Sequence, residues 1–225
     1  GGTAVWFSLN GGVLMSERLR RHVDDGGMAV VLEPGSYGGL IVVHREGKRT
    51  ELMQAADVPA TLGGIAEFNI ANALAAAAMC AAHNVPVKVI REGLSAFSSS
   101  FEDCPGRLNV HDAHGIRFIL DYAHNPAGLA ALGHVIEQMR SRYHRVIGMV
   151  SIPGDRRDQD IVEMGEMAGR IFDEIMFRES PDGRGRPSGE TNGLMSLGAM
   201  RAGLDDVQVP YTENVTPVPA DAAAR

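Results

Sequence analysis

The chain has 225 residues, 44% apolar and 22% charged, which is globular composition and excludes a disordered or collagen-like polypeptide. Its 28 acidic and 21 basic residues leave a net charge of −7, which argues against a general nucleic-acid binder, since that needs a basic face to displace phosphate counterions. No apolar run approaches the roughly 20 residues that cross a bilayer and no signal peptide opens the chain, so the expectation is a cytoplasmic protein that spans no membrane.

In chain order, 3–9 (TAVWFSL) is predicted as a short strand, and 15–25 as a polar helix closed by Gly26-Gly27. MAVVLE (28–33) follows as a strand. LIVVHR (40–45) and KRTELM (48–53) are predicted as a hairpin turning at Glu46-Gly47. Residues 67–83 (EFNIANALAAAAMCAAH) carry the strongest helix signal in the chain, with Asn84 as its C-cap. Pro86 opens a second helix over 86–97, and SSSFEDCPGR (98–107) has the composition of a linker.

Beyond it, LNVHDAH (108–114) and IRFILDYA (116–123) are predicted as a strand pair, and a helix is expected from about 124 to 142. RVIGMVS (145–151) and DEIMFRE (173–179) are predicted strands. Helices are predicted over 160–171 and 190–203, and VQVPY (207–211) is a candidate last strand before a loose tail, 216–225. Strand, loop and helix repeated three times suggest a parallel α/β sheet. The polar loops 121–128, 152–160 and 179–190 would then converge at the carboxyl ends of its strands. The charge is uneven as well. Residues 1–100 carry eight bases and nine acids, and 101–225 carry thirteen bases, all arginine, and nineteen acids. That shift suggests two domains, and an anion site in the second would rely on arginine forks, backbone amides or helix N-termini.

Cys80 and Cys104 are the only cysteines, and neither sits in a CxxC, so a zinc ribbon is excluded and reduced thiols are expected. The histidines show no HExxH or three-ligand spacing, so no metal is assigned to them. No GxSxG elbow supports a serine hydrolase, and no GxxxxGK[ST] phosphate loop occurs.

Several residues invite both a chemical and a structural interpretation. Asn69 and Asn72, three apart on one helix face, suit either helix capping or holding a planar base or ribose. Arg107, after Pro105-Gly106, is either a surface arginine or one that reaches a cleft. Asp121 ends an apolar strand, where a carboxylate either caps a turn or accepts ribose hydroxyls. His124-Asn125-Pro126 suits a helix start with Pro126 at the first position. Arg156 and Arg157 lie among aspartates in GDRRDQD (154–160), which suits a solvated salt-bridge loop or, for Arg156, a bidentate grip on a carboxylate. Glu179, Asp182, Arg184 and Arg186 sit on a glycine-rich loop whose mixed charge suits a zwitterionic amino acid or plain solvation.

Together FNIANALAAA (68–77), SSSFEDCPGRLN (98–109), LDYAHNPAG (120–128), PGDRRDQDI (153–161) and FRESPDGRGRPSGE (177–190) resemble the Mur ligase family over about residues 1–205. DYAHNP marks the wider family. GDRRDQDI with RGRPSGE points to a branch that adds arginine to the β-carboxyl of a polyaspartate chain. The resemblance implies an α/β fold in which 1–103 are the end of a central ATPase domain. Residues 104–225 would be a Rossmann-like C-terminal domain that closes over the nucleotide. It implies that ATP phosphorylates a carboxylate and that an amine traps the acyl phosphate.

By the same resemblance Asn72 contacts adenine with support from Asn69, Arg107 and Asp121 hold the nucleotide, and His124 lines that pocket. Arg156, Glu179, Asp182 and Arg184 face the amino acid. The phosphate loop and the Mg²⁺ ligands are expected upstream of position 1, and further residues of the C-terminal domain beyond position 225. The chain is thus expected to be inactive alone and to act within a parent enzyme that is a homo-oligomer. Two alternatives stay open: a non-catalytic nucleotide-binding or assembly module, and a Mur-type ligase for another amino acid.

Overall fold

A computed structural model describes residues 4–180 and 182–205, which fall into two compact units, Gly1–Tyr122 and Ala123–Arg225. The predicted strand at 207–211 and the tail at 216–225 lie outside the described residues.

The first unit is built on a four-stranded sheet in the order β1 (Val5–Ser8), β2 (Met28–Glu33), β3 (Leu40–Arg45) and β4 (Lys48–Gln54). β1 runs parallel to β2, and the other pairs are antiparallel. The β3–β4 turn falls at Glu46 and Gly47 with φ of 51° and 73°, the two left-handed residues that match a tight hairpin to strand twist.

Side chains alternate across this sheet as a period of two requires. Val30, Ile41, Val43 and Leu52 join one core cluster with α2 (Glu67–Ala82), which contributes Ile70, Leu74 and four small alanines. Ala29, Val31 and Val42 join another with Leu19 of α1 (Glu17–Asp24), which Ser16 caps by accepting from the Leu19 amide at 3.3 Å. Each buried aliphatic side chain of this size contributes about 1.5–3 kcal/mol. The alanines matter for another reason: they leave α2 thin enough to lie close over β1 and β2. Asn84 follows α2 with φ of 59°, the left-handed geometry expected just past a helix end. α3 (Val87–Ala96) then returns to the sheet, where Arg91 Nε donates to the Leu52 carbonyl at 2.5 Å.

β5 (Asn109–Ala113) and β6 (Ile116–Leu120) pair antiparallel as a two-stranded ribbon. The strand pair expected over 108–123 is present, while the expectation that its second strand shares the parallel sheet of β7 and β8 is corrected. The reason is the turn: His114 and Gly115 have φ of 52° and 77° and send the chain straight back along β5. The ribbon belongs to the first compact unit, while the boundary expected from sequence lies at 103/104.

The second unit alternates helix and strand: α4 (Pro126–Met139), β7 (Ile147–Val150), α5 (Asp158–Ile171), β8 (Glu174–Phe177) and α6 (Glu190–Arg201). β7 and β8 are parallel, with Ile147 opposite Glu174. Asn125 caps α4 by accepting from the Gly128 amide at 2.8 Å, with Pro126 first in the helix as predicted. The core gathers Leu129, Val150, Ile161, Met164, Ile175, Phe177 and Met195. α5 and α6 approach through glycine. A Cβ on Gly165 would meet the backbone of Met195, and one on Gly198 would meet Val162 and Glu166. Asp173 ties the base of β7 by accepting from the Val146 amide at 2.7 Å and from Arg140 at 3.0 Å. No described helix is long and apolar enough to cross a membrane.

Two outcomes follow from this packing. Gly198→Ala should cost about 1–3 kcal/mol by overpacking. Gly193→Ala, also in α6 but with open space around its Cβ, should not destabilise; urea midpoints check both. The Val146 amide, and after it Arg140, hold the Asp173 carboxyl below its ordinary value. That contribution is present above the unfolded carboxyl pKa of about 3.9 and is lost as pH falls through the lower folded value. Asp173→Asn should therefore flatten the acid limb of the stability–pH curve.

Candidate functional site

The candidate nucleotide residues of the first unit occupy two places. On α2, Asn69 does not cap the helix. The cap position is Ala66, and it has no side-chain hydrogen bond, so the capping interpretation of the asparagine pair does not hold. Instead the Asn69 amide donates to the Ala60 carbonyl at 2.7 Å, and its oxygen accepts from Asn72 Nδ2 at 3.2 Å. This fixes the Asn72 side chain through its nitrogen and leaves its oxygen at an exposed position.

The second place is the start of β5 and the end of β6. Asp121 Oδ2 accepts from the Leu108 amide at 2.9 Å, with Leu108 held at a left-handed φ of 52°. The exposed Arg107 guanidinium lies 5.4 Å from the centre of the Tyr122 ring. The segment 98–107 is less of a linker than its composition suggests. Asn109, 8% exposed, donates to the carbonyls of Ser99, Ser100 and Cys104 at 2.9–3.0 Å and accepts from the Gly106 amide at 2.6 Å. The turns that present Arg107 are thereby fixed by one buried amide. His124, the remaining candidate of this group, lies in the second unit.

The amino-acid candidates all lie in the second unit, on the loops that follow β7 and β8. At the carboxyl ends of parallel strands such loops face the same way. Here they touch: a Cβ on Gly154 would run into the carbonyl of Gly183. Arg184 NH1 reaches Asp155 Oδ2 at 3.1 Å, with both side chains half exposed. Asp182 Oδ1 accepts from the Arg184 amide at 3.0 Å and shapes the turn. Arg156 is exposed, and its guanidinium has no hydrogen bond or ion pair among the described residues. Its neighbour Arg157 is held locally by Asp160, whose carboxyl it keeps below the ordinary value.

Glu179 is occupied differently. Its carboxylate accepts from the Gly189 amide at 2.7 Å, the Thr191 amide at 3.2 Å and Ser188 Oγ at 3.3 Å, so it caps the start of α6. A carboxylate there satisfies orphan amides and complements the helix dipole.

Arg186 is the residue that sequence reasoning named but left without a role. It is the most buried guanidinium of the two loops, with its side chain 15% exposed. It donates to the Gly154 carbonyl at 2.6 Å, the Arg156 carbonyl at 2.7 Å, Asp158 at 2.6 Å and Glu190 at 2.5 Å. Asp158 first, and then Glu190, hold it further toward the charged form. Its signal in sequence is weak, because RGR offers two arginines with nothing local to distinguish them.

Among the described residues no group of three or more His, Cys, Asp or Glu has the geometry to hold a metal ion.

Residues 106–215 match the family described as Mur ligase, glutamate ligase domain. Among curated proteins the chain is similar to a cyanophycin synthetase of Trichormus variabilis, 41% identical over 195 residues. That match takes in 86% of this chain and 20% of the relative. A cyanophycin synthetase of Synechocystis is 39% identical over 198 residues, or 88% of this chain and 21% of the relative. The chain thus spans about a fifth of the length of these relatives. Among solved structures it resembles the Mycobacterium tuberculosis folylpolyglutamate synthase complexed with ADP and AMPPCP. There the TM-score is 0.56 at 18% identity, over 91% of this chain and 44% of that one, a likeness of fold.

If Glu179 is the cap of α6, Glu179→Ala should speed amide exchange at Gly189 and Thr191 and lower stability by about 1–2 kcal/mol. Exchange in α4 should not change.

Proposed function

We propose that this chain is part of an ATP-dependent amino-acid ligase, and that its particular reaction joins arginine to the β-carboxyl of a polyaspartate chain through an acyl phosphate. The observation that carries this is the charged rim on the two loops after β7 and β8. Among the described residues it holds a guanidinium without an ion pair at Arg156, as at Arg178, and an exposed pair, Arg184 and Asp155, beside Asp182. Such a rim suits a substrate with charges of both signs. The similarity to cyanophycin synthetases supports the choice of arginine.

In this proposal Arg156 or Arg184 takes the α-carboxylate of the incoming amino acid, because a guanidinium fork matches a carboxylate in two bonds. Asp182 keeps one oxygen on the Arg184 amide and offers the other to the substrate guanidinium. Glu179 is left to hold the loop, since three donors already occupy it. Fixing the α-carboxylate and the side-chain cation orients the amine toward an acyl phosphate, and orientation of this kind accounts for much of the rate in bimolecular reactions.

On the nucleotide side, Asn72 presents an oxygen suited to an adenine amino group, with Asn69 holding it in place. Asp121 has one oxygen on the Leu108 amide and the other for a ribose hydroxyl. Arg107 and His124 complete this set, and the folylpolyglutamate synthase solved with ADP is consistent with a nucleotide in a related fold. Mg²⁺ would be held by residues outside this chain. A polyaspartate acceptor and homo-oligomeric assembly belong to the same proposal, as does a domain boundary near 103/104, just ahead of the family match at 106.

Phosphate release by the natural full-length protein, with ATP, an aspartate polymer and single amino acids, tests the assignment. Arginine should give the largest response. Asp182→Asn should raise KM for arginine by about tenfold or more, the loss expected for one charge-assisted hydrogen bond, with KM for ATP nearly constant. Equal effects on both substrates would defeat the assignment of Asp182.

A further inference from the structure

The guanidinium with the most partners in the charged loops is not one of those assigned to substrate. Arg186 belongs to the loop after β8, yet three of its four acceptors lie at Gly154, Arg156 and Asp158, on the other loop and the first residue of α5. Its own amide donates to the Gly183 carbonyl at 3.0 Å, which closes its loop locally. A planar fork with five donors reaches several acceptors at once, whereas an ammonium is a point charge with three.

The arrangement has a consequence for recognition. The carbonyls of Gly154 and Arg156 are bonded to Arg186, so the backbone on both sides of Asp155 is fixed. Asp155 faces Arg184, two residues before Arg186, and Arg156 carries the exposed guanidinium. Each loop contributes charged groups to the rim, and one partly buried side chain sets the spacing between them.

We infer that Arg186 is a positioning residue for amino-acid recognition. It joins the two loops at a fixed distance, so that the group that takes the substrate carboxylate and the group that takes its cationic side chain stay in register. This deepens the ligase proposal and rests on it.

The test uses the natural full-length protein with arginine and with citrulline, which keeps the length of arginine and lacks its charge. Arg186→Met should raise KM for arginine about tenfold or more and reduce the preference for arginine over citrulline about tenfold, with KM for ATP within about twofold. Arg186→Lys should recover only a small part of either, and it carries the same test should the methionine variant fail to fold. Arg157→Met, which removes a guanidinium bonded to Asp160 in its own loop, should match the wild type. Amide exchange over 154–157 should accelerate in Arg186→Met and stay constant in β7 and β8.

An unchanged KM and preference in the Arg186 variants overturns the positioning role. So does a loss shared equally with ATP, or an Arg157 variant as impaired as the Arg186 variants. A wild-type protein that answers to no amino acid defeats the ligase assignment first, and the positioning role with it.

Discussion

A methyl group at Gly165 or Gly198 would collide with the backbone of the facing helix, so α5 and α6 lie at a separation that only glycine permits. Much of the second unit follows from that approach. Because α6 is pressed onto α5, its first turn sits where Glu179 at the end of β8 caps it and where Arg186 reaches the first residue of α5. Loosening the helix pair would move the base on which both loops stand.

The two units achieve local order by different means. In the first, the sheet is buried on both faces by alternation of its side chains, and the recognition candidates hang on single amides. Asn69 steers Asn72, and Asn109 gathers the turns before Arg107. In the second, the candidates are charged, and Arg184 is placed by an ion pair with Asp155 while Asp182 and Glu179 accept from backbone amides. Ion pairs at exposed positions contribute little stability. The partly buried Arg186 differs because its bonds go to backbone carbonyls as well as carboxylates, which constrains geometry more than it adds free energy.

Legibility in sequence followed the range of the interaction. The hairpin at Glu46-Gly47, the alanine-rich helix and the Asn125-Pro126 helix start were all readable, since each is decided within a few residues by turn geometry, propensity or a cap. The strand at 116–120 and its partner at 109–113 were readable as a pair across the His114-Gly115 turn, but not their separation from the parallel strands, because sheet membership depends on which distant edge a strand meets. The asparagine pair misled in a similar way. Two asparagines near a helix start look like caps, yet Asn69 donates to the Ala60 carbonyl nine residues away and Asn72 donates to Asn69.

Sequence by itself determined the α/β class, the punctuation of helices and strands, and the residue types available for chemistry, because these rest on periodicity and on the capacities of individual side chains. Only the tertiary structure decided which charged groups remain available. Glu179 and Arg186 look in sequence like their neighbours Asp182 and Arg184, but folding puts the first two against backbone amides and carbonyls and leaves the others at the rim. The physical reason is desolvation. A charged group drawn in from water must find hydrogen-bond partners, and those partners come from segments about ten to thirty residues distant, which no local pattern encodes.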